Sequence, residues 1–226
     1  MSPAASLELT YRSDAALLVA YATHLSRGQL SIDTPERLPN GASVFLKLVA
    51  PTASIVLTGV VSRAGGEANG SGHPLATALT LTSRPETFGD AVDQLAFGFK
   101  GLKTLVAASQ AAPRALLIRY LRSIVTCEVI EIDQRRLAEP NAICNVDLAV
   151  VDLDSTGAAG YELYARLREH PAAGSAPVLA VAQLERDRAR AASLGFDEAL
   201  TNPPAFADLQ AAVLHALARP LTIKTV

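Results

Sequence analysis

The stretch "DLAVVDLDSTGAAGYELYARLREH" (residues 147–170) decides how the second half of the chain folds. Residues 148–151 are four consecutive apolar residues, the pattern of a strand whose two faces are both covered, as in a parallel sheet. A carboxylate ends the run at Asp152, small residues follow, and "GYELYARLREH" then repeats its apolar positions at helical spacing. Strand, acidic turn and amphipathic helix in that order are one unit of an α/β fold.

The same alternation extends in both directions. "KTLVAAS" (103–109) reads as a short buried strand, and "PRALLIRYLRSIV" as a helix with Pro113 in its first turn. "CEVIEID" is a strand, and "QRRLAEPNAICN" is a short helix interrupted by Pro140. "APVLAVAQ" is a buried strand, "ERDRARAASLG" a helix stopped at Gly195, "DEALTN" a short strand, and "AFADLQAAVLHALA" the last helix. Five strand–helix alternations predict a five-stranded open parallel sheet with helices on both faces, in a domain over 101–226.

Residues 6–82 have a different rhythm. "SLELTYRS" puts Leu7, Leu9 and Tyr11 on one face, "GQLSIDTP" pairs Leu30 with Ile32, and "GASVFLKLVAP" pairs Val44, Leu46 and Leu48. "ALLVAYATHLS", "SIVLTGVVSRA" and "PLATALTLTSR" also read as strands. The turn formers of "ERLPNG" and "GGEANGSGHP" separate them. The expectation is a small antiparallel β-barrel over 1–100, trailed by a helix in "RPETFGDAVDQLAFGF" with Phe88, Val92, Leu95 and Phe99 on its apolar face. A short connection near residues 99–103 joins the two domains, an α+β arrangement overall.

The bulk composition excludes several classes. With 226 residues, half of them apolar, the chain can bury two cores. A net charge of −2 gives no basis for binding nucleic acid or an anionic membrane. No apolar run reaches the length of a membrane span, and the start "MSPAASLELTYRSD" lacks the features of a secretory leader, so a cytoplasmic protein is expected. Cys127 and Cys144 are isolated and read as reduced thiols. His24, His73, His170 and His215 are scattered without ligand spacing, so no metal site is expected. No phosphate-binding GxxxxGK[ST] loop, HExxH or GxSxG is present, and no catalytic residue is assigned.

From "DLAVVDLDSTGAAGYELYARLREHPAAGSAPVLAVA" through "ASLGFDEALTNP", the second half resembles the response-regulator receiver family. The resemblance implies a flavodoxin-like fold and an aspartyl phosphoacceptor at Asp152. It places the family's Mg²⁺-binding acidic pair at Ala108 and Ser109, its hydroxyl at Ala182, its lysine at Asn202 and a readout aromatic near Ala199. Only Asp152 keeps the family's chemistry, with Asp154 close by, and phosphoryl transfer depends on a metal and a cation that neutralise the moving group. A pseudo-receiver with no cofactor follows. Arg186, Arg188 and Arg190 offer an interaction face, which reads either as a solvated charged surface or as a protein-binding or homodimer surface.

The first half, through "YATHLSRGQLSIDTPERLPNGASVFLKLVAPTASIVLTGVVSRA", resembles a PilZ domain. In that family an arginine pair before the barrel and an Asp/Asn-x-Ser-x-x-Gly turn grip cyclic di-GMP. Here the turn is His24, Ser26, Arg27 and Gly28, with Gln29 at the last glycine position. No arginine precedes Arg12, which stands alone. The implied function is a bacterial signalling adaptor working through protein partners, in motility or surface behaviour. The alternative is a regulator that binds cyclic di-GMP or is phosphorylated on Asp152.

Overall fold

The computed structural model describes residues 5–34, 38–64, 77–83, 88–133 and 145–226. It divides into two compact units, residues 1–99 with 218–226 and residues 100–217. The expected features at 65–74 ("GGEANGSGHP"), His73, Cys144 and the short helix over 134–144 lie outside the described residues.

The first unit is built on a six-stranded sheet in the order β11-β1-β3-β4-β5-β2. The strands are β1 (Ala5–Thr10), β2 (Gln29–Ile32), β3 (Ser43–Val49), β4 (Ser54–Arg63), β5 (Thr77–Leu81) and β11 (Thr222–Thr225). Alternation along each strand determines what is buried. Leu7, Leu9, Leu30, Ile32, Val44, Leu46, Leu48, Leu57 and Leu79 all enter one core, and their neighbours in sequence face outward. On the outer face Glu8 sits opposite Lys47, whose Nζ lies 2.8 Å from its Oε2. Helix α2 (Gly89–Gly98) adds Val92 and Leu95 to the same core, with Phe88 just ahead of it.

Three sequence expectations change here. First, "ALLVAYATHLS" is not a strand: α1 spans Asp14–Thr23. Ser13 caps it by accepting from the Ala16 N–H at 3.1 Å, and Asp14 favours the positive end of the helix. Ala16, Leu17 and Ala20 form its buried stripe. Alanine is the best helix former, and the local sequence is alanine-rich. Second, the sheet is mixed. β1 runs parallel to β3, with Ala5 opposite Val44 and Thr10 opposite Val49. A parallel neighbour needs a crossover rather than a hairpin, and α1 with β2 supplies it. The other pairs are antiparallel, and no β11–β2 pairing is found among the described residues. Third, residues 218–226 belong with the first unit rather than the second. β11 pairs antiparallel with β1, Ile223 opposite Leu9, and Ile223 packs on the first core.

The second unit carries a five-stranded parallel sheet ordered β10-β9-β8-β6-β7. Its strands are β6 (Leu102–Ala107), β7 (Cys127–Ile132), β8 (Leu148–Asp152), β9 (Val178–Ala182) and β10 (Glu198–Thr201). Counted within the unit, the order is 2-1-3-4-5, the flavodoxin-like arrangement. Every residue of β8 and β9 is buried, and apart from Asp152 at the end of β8 all are apolar, as central strands of a parallel sheet require. The helices are α3 (Ala111–Ile124), the single turn α4 (Leu153–Thr156), α5 (Ala158–Glu169), α6 (Glu185–Leu194) and α7 (Phe206–Ala218). Gly195 closes α6 in the left-handed conformation at φ 91°.

Arg168 near the end of α5 joins three segments. Its Nη1 donates to the carbonyls of Gly174 (3.0 Å) and Ala176 (2.8 Å), and its Nη2 to Asp197 Oδ2 (2.8 Å). That same oxygen accepts the N–H of Val178 at 2.8 Å, so one guanidinium ties α5 to the starts of β9 and β10.

Candidate functional site

The carboxyl ends of the parallel strands bring Ala108, Ser109, Asp152, Ala182 and Asn202 to one edge of the second unit, the edge where open α/β sheets place their sites. Asp152 is the last residue of β8 and the N-cap of α4. Its Oδ1 accepts from the N–H groups of Asp154 (3.2 Å) and Ser155 (3.4 Å), and Thr156 Oγ1 donates to its carbonyl at 2.6 Å. Aspartate is among the preferred caps because its short carboxylate reaches the unpaired N–H groups of the first turn.

Asn202 stands where the resemblance puts a lysine. Its Nδ2 lies 3.0 Å from Asp152 Oδ1 and 2.7 Å from Asp154 Oδ2. Asp154 also accepts the backbone N–H of Gln183, at 3.1 Å to Oδ1 and 2.9 Å to Oδ2. The Asn202 N–H donates to the Ala182 carbonyl at 3.3 Å. The ends of β8, β9 and β10 are thus joined by a neutral amide between two carboxyl groups.

On the side of β6, Ala108 is fully buried and its N–H donates to the Ile132 carbonyl. The Ser109 N–H donates to Ser155 Oγ at 3.0 Å. Neither side chain offers a carboxylate, and no cluster of three His, Cys, Asp or Glu able to hold a metal occurs among the described residues. Mg²⁺ takes carboxylate and water oxygens in near-ideal octahedral geometry. The donor set around Asp152 does not fit that ion.

Asp152 is 1% exposed, and its Oδ2 has no hydrogen-bond partner among the described residues. Burial is the largest influence on its acidity and pushes its pKa up. The Ser155 hydrogen bonds pull the other way, and the Asp154 charge adds to the rise. A carboxylate acting as a nucleophile needs an accessible oxygen and a cation to receive charge. Here Oδ1 accepts three donors and Oδ2 is enclosed. The arrangement is that of a structural cap.

Arg188 does not share a face with Arg186 and Arg190, because residues two apart on a helix point in different directions while residues four apart are neighbours. Arg188 turns inward, donating to the carbonyls of Ala182 and Gln183 at 2.8 Å each, and pairs with Glu185. Arg190 lies over the Tyr161 ring, 4.3 Å from its centroid. Arg186, 3.9 Å from Asp187, and Arg190 are both exposed. Arg188 is therefore set apart from the expected surface as a C-terminal clasp for β9, while Arg186 and Arg190 stay on it.

In the first unit, His24 ends α1, residues 25–27 form a single 3-10 turn, and Gly28 follows in the left-handed region at φ 68°. The turn is not a loop between two strands, as the sequence reading expected, but a link from a helix to β2. Ser26 Oγ donates back to the Ala22 carbonyl at 3.4 Å, and Arg27 is exposed. The N–H groups of Arg27 and Gln29 donate to the His24 carbonyl, and the Gly28 carbonyl accepts from Leu81. These contacts set the entry of β2 beside β5.

Sequence reasoning missed the two inward arginines, Arg168 and Arg188, because a charged residue in a helix gives no sign of which carbonyls it will reach. It also missed Ser155, whose place after Asp152 was readable as a capping pattern.

No protein-family model matches the chain, and no curated protein matches it. Solved structures similar to it include a protein described as a response regulator from Chloroflexus aurantiacus. That likeness has 22% identity and a TM-score of 0.47, and covers 53% of this chain and all of that one. A signal receiver domain of a two-component histidine kinase from Clostridium thermocellum is similar at 15% identity and a TM-score of 0.47, over 53% of this chain and 98% of that one. The receiver domain of a histidine kinase from Syntrophus aciditrophicus is similar at 21% identity and a TM-score of 0.44, over 52% and 89%. The flavodoxin-like fold of the second unit stands on its strand order and parallel pairing.

Proposed function

We propose that the protein is a non-enzymatic bacterial signalling adaptor that acts through contacts with protein partners, a second copy of itself among them. In this reading the second unit is a pseudo-receiver: a docking platform with the family's shape but without a phosphoryl switch. One observation carries it. The amide of Asn202 occupies the cation position and is already hydrogen-bonded to both Asp152 and Asp154. A neutral amide cannot balance the charge of a transferring phosphoryl group.

The first unit is read as a PilZ-related scaffold in which His24, Ser26, Arg27 and Gly28 shape a turn rather than hold cyclic di-GMP. Its alternating strands and "LSRG" turn support that relationship, while the parallel β1–β3 pair departs from an antiparallel barrel. Among the described residues, no helix is long and apolar enough to cross a membrane. Work in the cytoplasm agrees with this reading.

Calorimetric titration of the full chain with cyclic di-GMP, and intact mass after incubation with acetyl phosphate and Mg²⁺, test the reading together. The expected outcome is no saturable heat and no added phosphoryl group. Micromolar binding of the dinucleotide, or a phosphorylated Asp152, would replace the adaptor with a ligand-gated or phosphorylation-gated regulator.

A further inference from the structure

A cavity of about 410 Å³ opens beside the cap in the second unit, between the start of α3 and the segment after β10. Leu116, Leu117 and Pro203 contribute to its apolar wall, and Asp154, Gln183 and Asn202 form its polar end. This volume lies within the range of small-molecule sites, which are mostly apolar with a few placed polar groups.

The charge of the polar end selects the ligand. Asp154 is the only charged residue among those lining the cavity, and no lysine or arginine is among them. Its hydrogen-bond partners, the Gln183 N–H and Asn202 Nδ2, are uncharged. An ionised carboxylate has roughly four acceptor positions, so these two donors leave capacity for more. Asn202 links Asp154 to the buried Asp152, so a second carboxyl group lies just behind the first. An anion entering the cavity would meet like charge, whereas a cation would meet a counter-ion together with an apolar wall for its body.

We infer that this cavity binds a small organic cation, a primary ammonium carried on a compact apolar group. The ammonium donates to Asp154, and the apolar body rests against Leu116, Leu117 and Pro203. The cap at Asp152 is left intact, so occupancy requires neither phosphorylation nor a metal.

Benzylamine, with benzyl alcohol as its uncharged counterpart, tests this on the full-length protein by amide NMR titration. Benzylamine is expected to shift the Leu116, Gln183 and Asn202 resonances saturably. Benzyl alcohol should bind roughly fivefold more weakly, the size of a partly exposed ion pair. Asp154→Asn should remove a similar factor for benzylamine and leave benzyl alcohol unchanged. If benzylamine gives no saturable shift at these residues, or if the two probes bind equally to the native chain, the inference is wrong. The comparison of probes on the native chain holds even if Asp154→Asn fails to fold.

Discussion

The Asn202 amide donates to the Asp152 carboxylate across 3.0 Å, joining the end of β10 to the end of β8. Because the same nitrogen reaches Asp154 at 2.7 Å, one side chain separates two carboxyl groups that would otherwise repel. Asn202→Ala is therefore expected to lower the stability of the second unit by about 1–3 kcal/mol, since it leaves a buried acceptor short of a donor. Urea unfolding of the variant beside the native chain measures the difference; an unchanged midpoint would show that the link is inconsequential.

Asp152 should make stability depend on pH with a definite sign. Its folded pKa is raised, chiefly by burial, so the native state holds the proton more tightly than the unfolded chain does. Stability from this group is greatest below the ordinary carboxylate pKa and falls as pH rises through the raised folded value. Asp152→Asn keeps an oxygen for the cap and cannot ionise, so its unfolding free energy should decline less across that interval. Denaturant titrations begun below the ordinary aspartate pKa of about 3.9 and carried upward in pH follow the decline. Identical pH profiles for the two proteins would contradict the assignment.

The elements that read correctly from sequence are those whose apolar pattern had a single solution. "LAVV" and "VLAVA" have no polar face and sit in a regular strand–helix alternation, which favours central strands, and β8 and β9 are buried throughout. Leu7, Leu9, Val44, Leu46 and Leu48 alternate strictly, and all are buried in the first core. The stretch "ALLVAYATHLS" misled because an unbroken apolar run fits a strand as well as a buried helix. Ser13 followed by Asp14 was the sign of a helix start. The parallel β1–β3 pair and the return of β11 to β1 are long-range pairings, on which local periodicity is silent. At the site, the positions were legible from the resemblance, but the double hydrogen bond of Asn202 was not. That bond depends on how three strand ends converge rather than on any spacing along the chain.

Gly28 tests whether the turn after α1 is structural. At φ 68° an L side chain is disfavoured, although a Cβ there would meet no atom within 4 Å. Gly28→Ala should then cost about 1–2 kcal/mol through backbone conformation alone. Thermal unfolding followed through the first unit's resonances checks this. Full stability in the variant would mean that the glycine is retained for some other purpose.

Arg168 should not be replaceable by lysine. Its guanidinium serves two carbonyls and one carboxylate at once and lies 4.9 Å from the Tyr164 ring centroid. A lysine keeps the charge but loses the fixed fork. Arg168→Lys is expected to destabilise the second unit by roughly 2 kcal/mol, read from the urea midpoint. A loss indistinguishable from zero would show that charge alone suffices.

The claim that Asp152 is a closed cap is tested most directly by adding beryllofluoride with Mg²⁺ to the isotopically labelled protein and recording its amide spectrum. The reagent mimics an aspartyl phosphate and needs an accessible carboxylate oxygen, a metal site and a cation. The expected result is an unchanged spectrum at Ser109, Asp152, Asp154, Ser155, Ala182 and Asn202. Saturable shifts centred on those residues would show that the carboxylate opens to a phosphoryl mimic and would contradict the pseudo-receiver reading.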